Sequence, residues 1–270
     1  MPEGHTIHRE ARVHAFALGG KRTASSSPQG RFEAGAAAVD GQKLRRVEPL
    51  GKHFFYHFRA GVVHVHLGLY GGFRRIRRRG RSWPEPTPSV RWRLTAPGAR
   101  VGFDLSGPTA CDLLDPAEAR AIRDRLGVDL LGPDAAGRRG EVRDRLLSRR
   151  TPLSVSLMDQ SLVSGIGNIF RIELLYRHRI HPRTPGRDVP PAAFDALYAD
   201  GLALMRVGVR HRRILTVEPA VLGKRGWARL GPDERFWVYG RSHCRGCGGP
   251  VETFVQGGRK VHFCPAEQVL

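Results

Sequence analysis

The 270-residue chain has no run of about eighteen apolar residues, the least that a membrane-spanning helix needs. It does not open on a charged stretch followed by an apolar segment, so no secretory leader is expected. The cytoplasm, close to the nucleoid, is the expected compartment. Cysteine is scarce: there are four, and three of them (Cys244, Cys247 and Cys264) crowd the C-terminal end. In a reducing compartment clustered thiols hold metal more readily than disulfides. Cys111 stands alone and is expected to be a small buried hydrophobe. Acidic residues are also few, 25 against 45 Lys and Arg, which gives a formal charge of +20 and a pI near 11.2. That imbalance excludes an ordinary metabolic enzyme and points to a polyanion, most simply nucleic acid. Even lysine is rare within the basic set, confined to Lys21, Lys43, Lys52, Lys224 and Lys260. A coding preference for arginine would exchange one cation for another. It would not create the excess.

What is there suffices for a core, since hydrophobic residues make up 40% of the chain. An early helix is expected over Thr6–His14. From there to about Leu114, short apolar segments broken by Gly and Pro read as β-rich, with strands over Phe54–Phe58, Val62–Leu67 and Val90–Leu94. Arg74–Arg81 reads as a basic loop. After Asp115-Pro116 the pattern turns helical, with helices expected over Ala117–Leu126, Glu141–Ser148, Leu153–Leu162, Ile169–Tyr176 and Phe194–Val209. From Phe236 short strands return around the cysteines. The expected organisation is α+β in three parts: residues 1–115 a β-rich domain, 116–235 a helical domain, and 236–270 a small metal-binding ribbon.

Three constellations carry chemistry. The first is Met1-Pro2-Glu3-Gly4-His5-Thr6. Removal of Met1 would expose the secondary amine of Pro2. With a pKa near about 8, against about 10.4 for lysine, a useful fraction of it is unprotonated at neutral pH. Such an amine can attack a sugar carbon and form an iminium, while the neighbouring Glu3 moves protons. The second is Met158-Asp159-Gln160 followed by Ser164-Gly165-Ile166-Gly167-Asn168. Its two glycines permit a tight double turn, Asn168 suits an N-cap, and a helix start there would favour a phosphate.

The third is Cys244-x2-Cys247, then sixteen residues, then Cys264-Pro265-Ala266-Glu267. This is a zinc-ribbon spacing with a carboxylate in the fourth place, so one Zn²⁺ held by Cys244, Cys247, Cys264 and Glu267 is expected. His262 and, less well, His243 are rivals for the fourth position, and a ribbon held by packing alone is the remaining alternative. Gly257-Gly258-Arg259-Lys260 between the knuckles reads as a hairpin turn carrying a guanidinium.

Together and in this order, over essentially the whole chain, these sites resemble the formamidopyrimidine-DNA glycosylase/endonuclease VIII family. The resemblance implies an N-terminal β-sandwich with flanking helices, then a helical domain with a helix–two-turn–helix and a C-terminal zinc-ribbon hairpin, with DNA in a basic cleft. It implies that Pro2 is the nucleophile and Glu3 the proton carrier. Lys52, after Gly51, matches the family's phosphate-binding lysine. Asn168 and Arg259 match the residues that grip phosphates around a flipped nucleotide. His66-Leu67-Gly68-Leu69-Tyr70-Gly71 stands where the family places its wedge, so Leu69 and Tyr70 are expected to fill the gap that flipping leaves. Two core residues at a strand end is the competing reading of that pair.

Gly4-His5-Thr6 is similar to the opening of the endonuclease VIII branch, which removes oxidised pyrimidines. The oxidised-guanine branch carries an arginine-containing phrase where this chain has Asp104-Leu105-Ser106-Gly107-Pro108. The expected activity is therefore that of a monomeric bifunctional DNA glycosylase/AP lyase acting on oxidised bases in damaged DNA, with strand cleavage by β,δ-elimination. The alternative is a non-catalytic damaged-DNA-binding or regulatory protein, which would explain the charge and the ribbon but not Pro2-Glu3.

Overall fold

The structure is a computed structural model and describes residues 2–270. It divides into two compact units, one comprising residues 2–3 and 7–125, the other 4–6 and 126–270. The C-terminal ribbon, with its three cysteines, clusters with the second.

The first unit begins with helix α1 (Gly4–Leu18), longer at both ends than the periodicity predicts. Its buried residues Ile7, Ala11, His14 and Leu18 recur at three- and four-residue spacing, so a single stripe faces the core. Strand β1 (Ala24–Ser26) and helix α2 (Glu33–Val39) follow, then β2 (Arg46–Leu50), β3 (His53–His57), β4 (Val62–His66), β5 (Gly72–Arg77), β6 (Val90–Thr95), β7 (Val101–Ser106) and β8 (Ala110–Leu114). They form two four-stranded antiparallel sheets, ordered β1-β6-β7-β5 and β2-β3-β4-β8. Phe54, Tyr56, Val63 and Val65 of one sheet share a single core with Trp92, Leu94, Phe103 and Leu105 of the other. Cys111 lies in that core, and burial raises its thiol pKa to about 12. The first half of the expected basic loop at residues 74–81 belongs to strand β5, where Phe73 packs against the sandwich core and Ile76 is buried among exposed arginines.

The second unit holds α3's successor elements, α3 itself (Pro116–Asp124) closing the first unit behind an Asp115–Glu118 capping box. Strand β9 (Val128–Asp129), helices α4 (Arg139–Leu147) and α5 (Leu153–Ser156), strand β10 (Val163–Ser164), helices α6 (Asn168–Arg177) and α7 (Pro191–His211), and strands β11 (Glu252–Gln256) and β12 (Arg259–Phe263) follow in order. β9 and β10 pair in parallel, and β11 and β12 form a hairpin. α6 is central: all of its residues from Phe170 to Tyr176 are buried. α7 starts on Pro190-Pro191, where a missing N–H costs nothing, and ends at Arg212 with φ +65°. The helix expected over 153–162 is only α5. Asp159 accepts hydrogen bonds from the backbone N–H (2.9 Å) and the hydroxyl (2.7 Å) of Ser161, a turn that competes with helix.

Candidate nucleic-acid interface and catalytic terminus

In the first unit, Pro2 is half-buried and the side chain of Glu3 is 0% exposed. Met1, whose removal would free the Pro2 amine, lies outside the described residues. Lys52 sits in the two-residue turn that joins β2 to β3, where Leu50 pairs with His53 and Gly51 takes φ +56°. Three imidazoles lie beside it. His53 Nδ1 is 2.8 Å from His64 Nε2, and the His53 and His66 rings are 4.6 Å apart. Burial lowers the pKa of His53 to about 3, helped by His66, His64 and Lys52. It lowers His64 to about 4 and His66 in the same direction. These rings are therefore neutral at neutral pH, which leaves Lys52 as the cation of this turn.

The β4–β5 turn presents Leu69 (41% exposed) and Tyr70 (92% exposed) to solvent, so neither is a core residue. Gly68 makes the turn possible: its φ is +66°, and a Cβ there would meet Thr109 Oγ1 at 1.9 Å. Strands β7 and β8 are joined by only Gly107-Pro108-Thr109. Asp104, just before, is consumed internally. It accepts hydrogen bonds from Arg93 Nε (2.7 Å) and Nη2 (2.8 Å) and from Arg74 Nη2 (2.9 Å).

In the second unit the first turn of α1 packs against the double turn. Gly4 N–H donates to Gly165 O at 2.8 Å, and a Cβ on Gly4 would stand 2.8 Å from Gly165 Cα. Gly165 itself adopts φ +100°. Gly4 is required by this backbone approach and Gly165 by its positive φ. The His5 ring meets Phe170 edge-on at 5.5 Å. Gln160 braces the turn, donating to Ile166 O (3.2 Å) and accepting from Gly165 N–H (3.1 Å).

Asn168 is the first residue of α6 rather than its cap, which is Gly167. Its side-chain amide instead donates to Lys260 O at 3.1 Å, beside Arg259. Its carbonyl oxygen accepts from Arg171, which is itself buried (1% exposed) and also reaches Ser154 O at 3.4 Å. Arg259 opens β12 opposite Gln256, across the Gly257-Gly258 turn, whose φ values of +57° and +69° suit a two-residue hairpin.

The sequence reading missed Arg171 and Glu173. Both are charged residues inside an otherwise apolar helix, and that incongruity is the signal that could have found them. Glu173 is fully buried and accepts from Thr216 Oγ1 (2.5 Å) and from the backbone N–H groups of Trp237 (2.8 Å), Val238 (3.0 Å) and Tyr239 (2.8 Å). It thereby fixes the chain that leads into the ribbon. Burial pushes its carboxyl pKa up against these hydrogen bonds.

The thiol groups of Cys244, Cys247 and Cys264 lie within 4.8 Å of one another, the sulfurs of Cys247 and Cys264 being 3.4 Å apart. No disulfide joins them. Tetrahedral zinc with bonds of about 2.3 Å would place sulfurs about 3.8 Å apart, so three thiolates fit the ion. Tyr176 hydroxyl lies 3.1 Å from Cys244 Sγ. Glu267, expected as the fourth ligand, lies outside the three-thiol cluster, its carboxylate beside Arg179. His262 is outside it too; its ring packs 5.2 Å from Tyr239. The ribbon is seated on α6 through Ile172, Tyr176, Val238 and Val261.

A family model described as the formamidopyrimidine-DNA glycosylase N-terminal domain matches residues 1–106, and one described as that glycosylase's H2TH domain matches 127–218. Endonuclease 8 1 of Mycobacterium tuberculosis is 44% identical over 273 residues, covering 99% of this chain and all of the relative. The chain belongs to the formamidopyrimidine-DNA glycosylase/endonuclease VIII family. Members of that family are DNA glycosylases and AP lyases. The crystal structure of the MutM (Fpg) protein of Thermus thermophilus is similar with a TM-score of 0.74 and 27% identity, covering 99% of this chain and 98% of that one. The Lactococcus lactis enzyme, solved non-covalently bound to DNA containing an AP site, shares the fold (TM-score 0.76, 18% identity, 99% and 100% coverage). Among the described residues no helix is long and apolar enough to cross a membrane.

Proposed function

We propose that this protein is a bifunctional DNA glycosylase/AP lyase that removes oxidised pyrimidines through a Schiff base on Pro2. The observation that carries the reading is the terminus: a proline at position 2, followed by a carboxylate withdrawn from water at the start of α1. The Pro2 amine bonds to C1′ of the damaged nucleotide as the bond from C1′ to the base breaks. The base departs with a proton, and opening of the sugar ring gives an iminium. Glu3 transfers protons in these steps. Loss of the C2′ proton then expels the 3′ phosphate, and a second elimination expels the 5′ phosphate.

Lys52, Asn168 and Arg259 hold phosphates around the lesion, while Leu69 and Tyr70 occupy the space the extruded nucleotide vacates. The exposure of that pair supports this role: burying two such side chains in water-free contact with bases offsets part of the few kcal/mol that flipping costs. Zinc held by the three thiolates would stiffen the hairpin that carries Arg259, with Glu267 completing the shell once released from Arg179.

The pyrimidine preference rests on the three-residue β7–β8 turn, which has no arginine to offer, and on the 44% identity to an endonuclease 8. Single-turnover excision of thymine glycol and of 8-oxoguanine paired with cytosine tests it. Thymine glycol is expected to react faster by at least about tenfold. Equal rates would refute the assignment of substrate.

A further inference from the structure

The outward face of α1 carries a feature that lesion repair leaves unused. Phe16 is 91% exposed, although the residues flanking it on the helix, Val13 and Ala17, pack against the sandwich core. Beside it opens a cavity of about 580 Å³ floored by Val13, Ala17, Ala99 and Val101. Its polar lining is Arg12 of α1, Lys21 just beyond that helix, Arg75 of β5 and Arg100 of the β6–β7 turn, with no acidic residue among them. The ring and the aliphatic hollow form one apolar surface, and a partner that covered both would gain the free energy of burying it. Four cations from separate segments, converging with no carboxylate to neutralise them, repel one another and favour an anionic partner.

We propose that this face docks an acidic peptide segment of a partner protein, one that carries an aromatic or large aliphatic side chain among its carboxylates. The apolar side chain enters the hollow against Phe16, and the carboxylates pair with Arg12, Lys21, Arg75 and Arg100. A DNA duplex, its bases stacked inside, would satisfy the cations with its phosphates but offers no apolar group to the floor. The peptide satisfies both.

The full-length protein is titrated against a fluorescein-labelled aspartate-rich peptide containing one phenylalanine, followed by anisotropy at physiological salt. Saturable binding is expected, weakened by at least about tenfold, or about 1.4 kcal/mol, by Phe16→Ala, by Arg100→Glu, or by serine in place of the peptide's phenylalanine. Cleavage of lesion-containing DNA by both variants should equal that of the parent, which also shows that they fold. Absence of saturable binding overturns the proposal, as does binding indifferent to Phe16→Ala, which would reflect net charge alone. A single-stranded oligonucleotide that displaces the peptide and itself depends on Phe16 would assign the face to nucleic acid, and so also overturns it.

Discussion

Asn168 donates its side-chain amide to the main-chain carbonyl of Lys260, 3.1 Å away, and so ties the double turn to the hairpin strand that carries Arg259. The two phosphate-binding candidates of the helical unit are thus one assembly, braced from below by Arg171.

Replacing Asn168 by Ala leaves the Lys260 carbonyl and the buried Arg171 guanidinium each short of a partner. A loss of about 1–3 kcal/mol is expected in chemical denaturation. DNA affinity should fall with no change in the slope of log K against log salt, because Asn168 is neutral. Lys52→Ala and Arg259→Ala should each flatten that slope by about one. If Asn168→Ala unfolds at the parent's denaturant midpoint, the bond to Lys260 contributes nothing to the assembly.

Zinc analysis of protein purified without chelator should give about one ion per chain, as a site of three thiolates and one oxygen requires. Cys247→Ser should release it to a chelator more readily, and Glu267→Cys should retain it longer. Chelation is expected to destabilise the ribbon by several kcal/mol, below the roughly 10–16 kcal/mol of complete zinc-finger sites. Metal-free protein that cuts DNA at the full rate would show that the hairpin stands on its packing against α6.

Three imidazoles largely withdrawn from water make the sandwich acid-sensitive. Burial, and then Arg75, lowers the pKa of His14 from 6.5 to about 3, although Glu10 lies 3.8 Å from its Nε2. His53 and His64 are lowered to about 3 and about 4. A base whose folded pKa is depressed takes up more protons when unfolded, so its contribution is complete above 6.5 and fades as pH falls toward the folded value. Stability should therefore decline from about pH 6.5 to about pH 4, with His14 alone accounting for a few kcal/mol, to order of magnitude. His14→Gln should flatten that decline in denaturation curves taken across the range. An unchanged pH dependence would mean that the imidazole is not held neutral.

Much of this was legible in the residues. Three strands of the sandwich (β3, β4 and β6), the terminal Pro2-Glu3, the glycine double turn and the cysteine spacing all advertise themselves through local pattern. What escaped was set by contacts distant in sequence. Asn168 looks like a cap because nothing nearby reveals Lys260 as its partner. The helix through residues 157–162 fails because the side chains of Asp159 and Gln160 bond to the turn instead.

The central claim is that Pro2 is the nucleophile, and borohydride trapping tests it most directly. The protein is incubated with DNA containing an oxidised pyrimidine, reduced during turnover, digested, and its adduct located by mass spectrometry. The account predicts a stable protein–DNA species with deoxyribose attached to the nitrogen of residue 2, and none when Met1 is retained behind an N-terminal tag. An adduct on Lys52, or trapping undiminished by the tag, would contradict it.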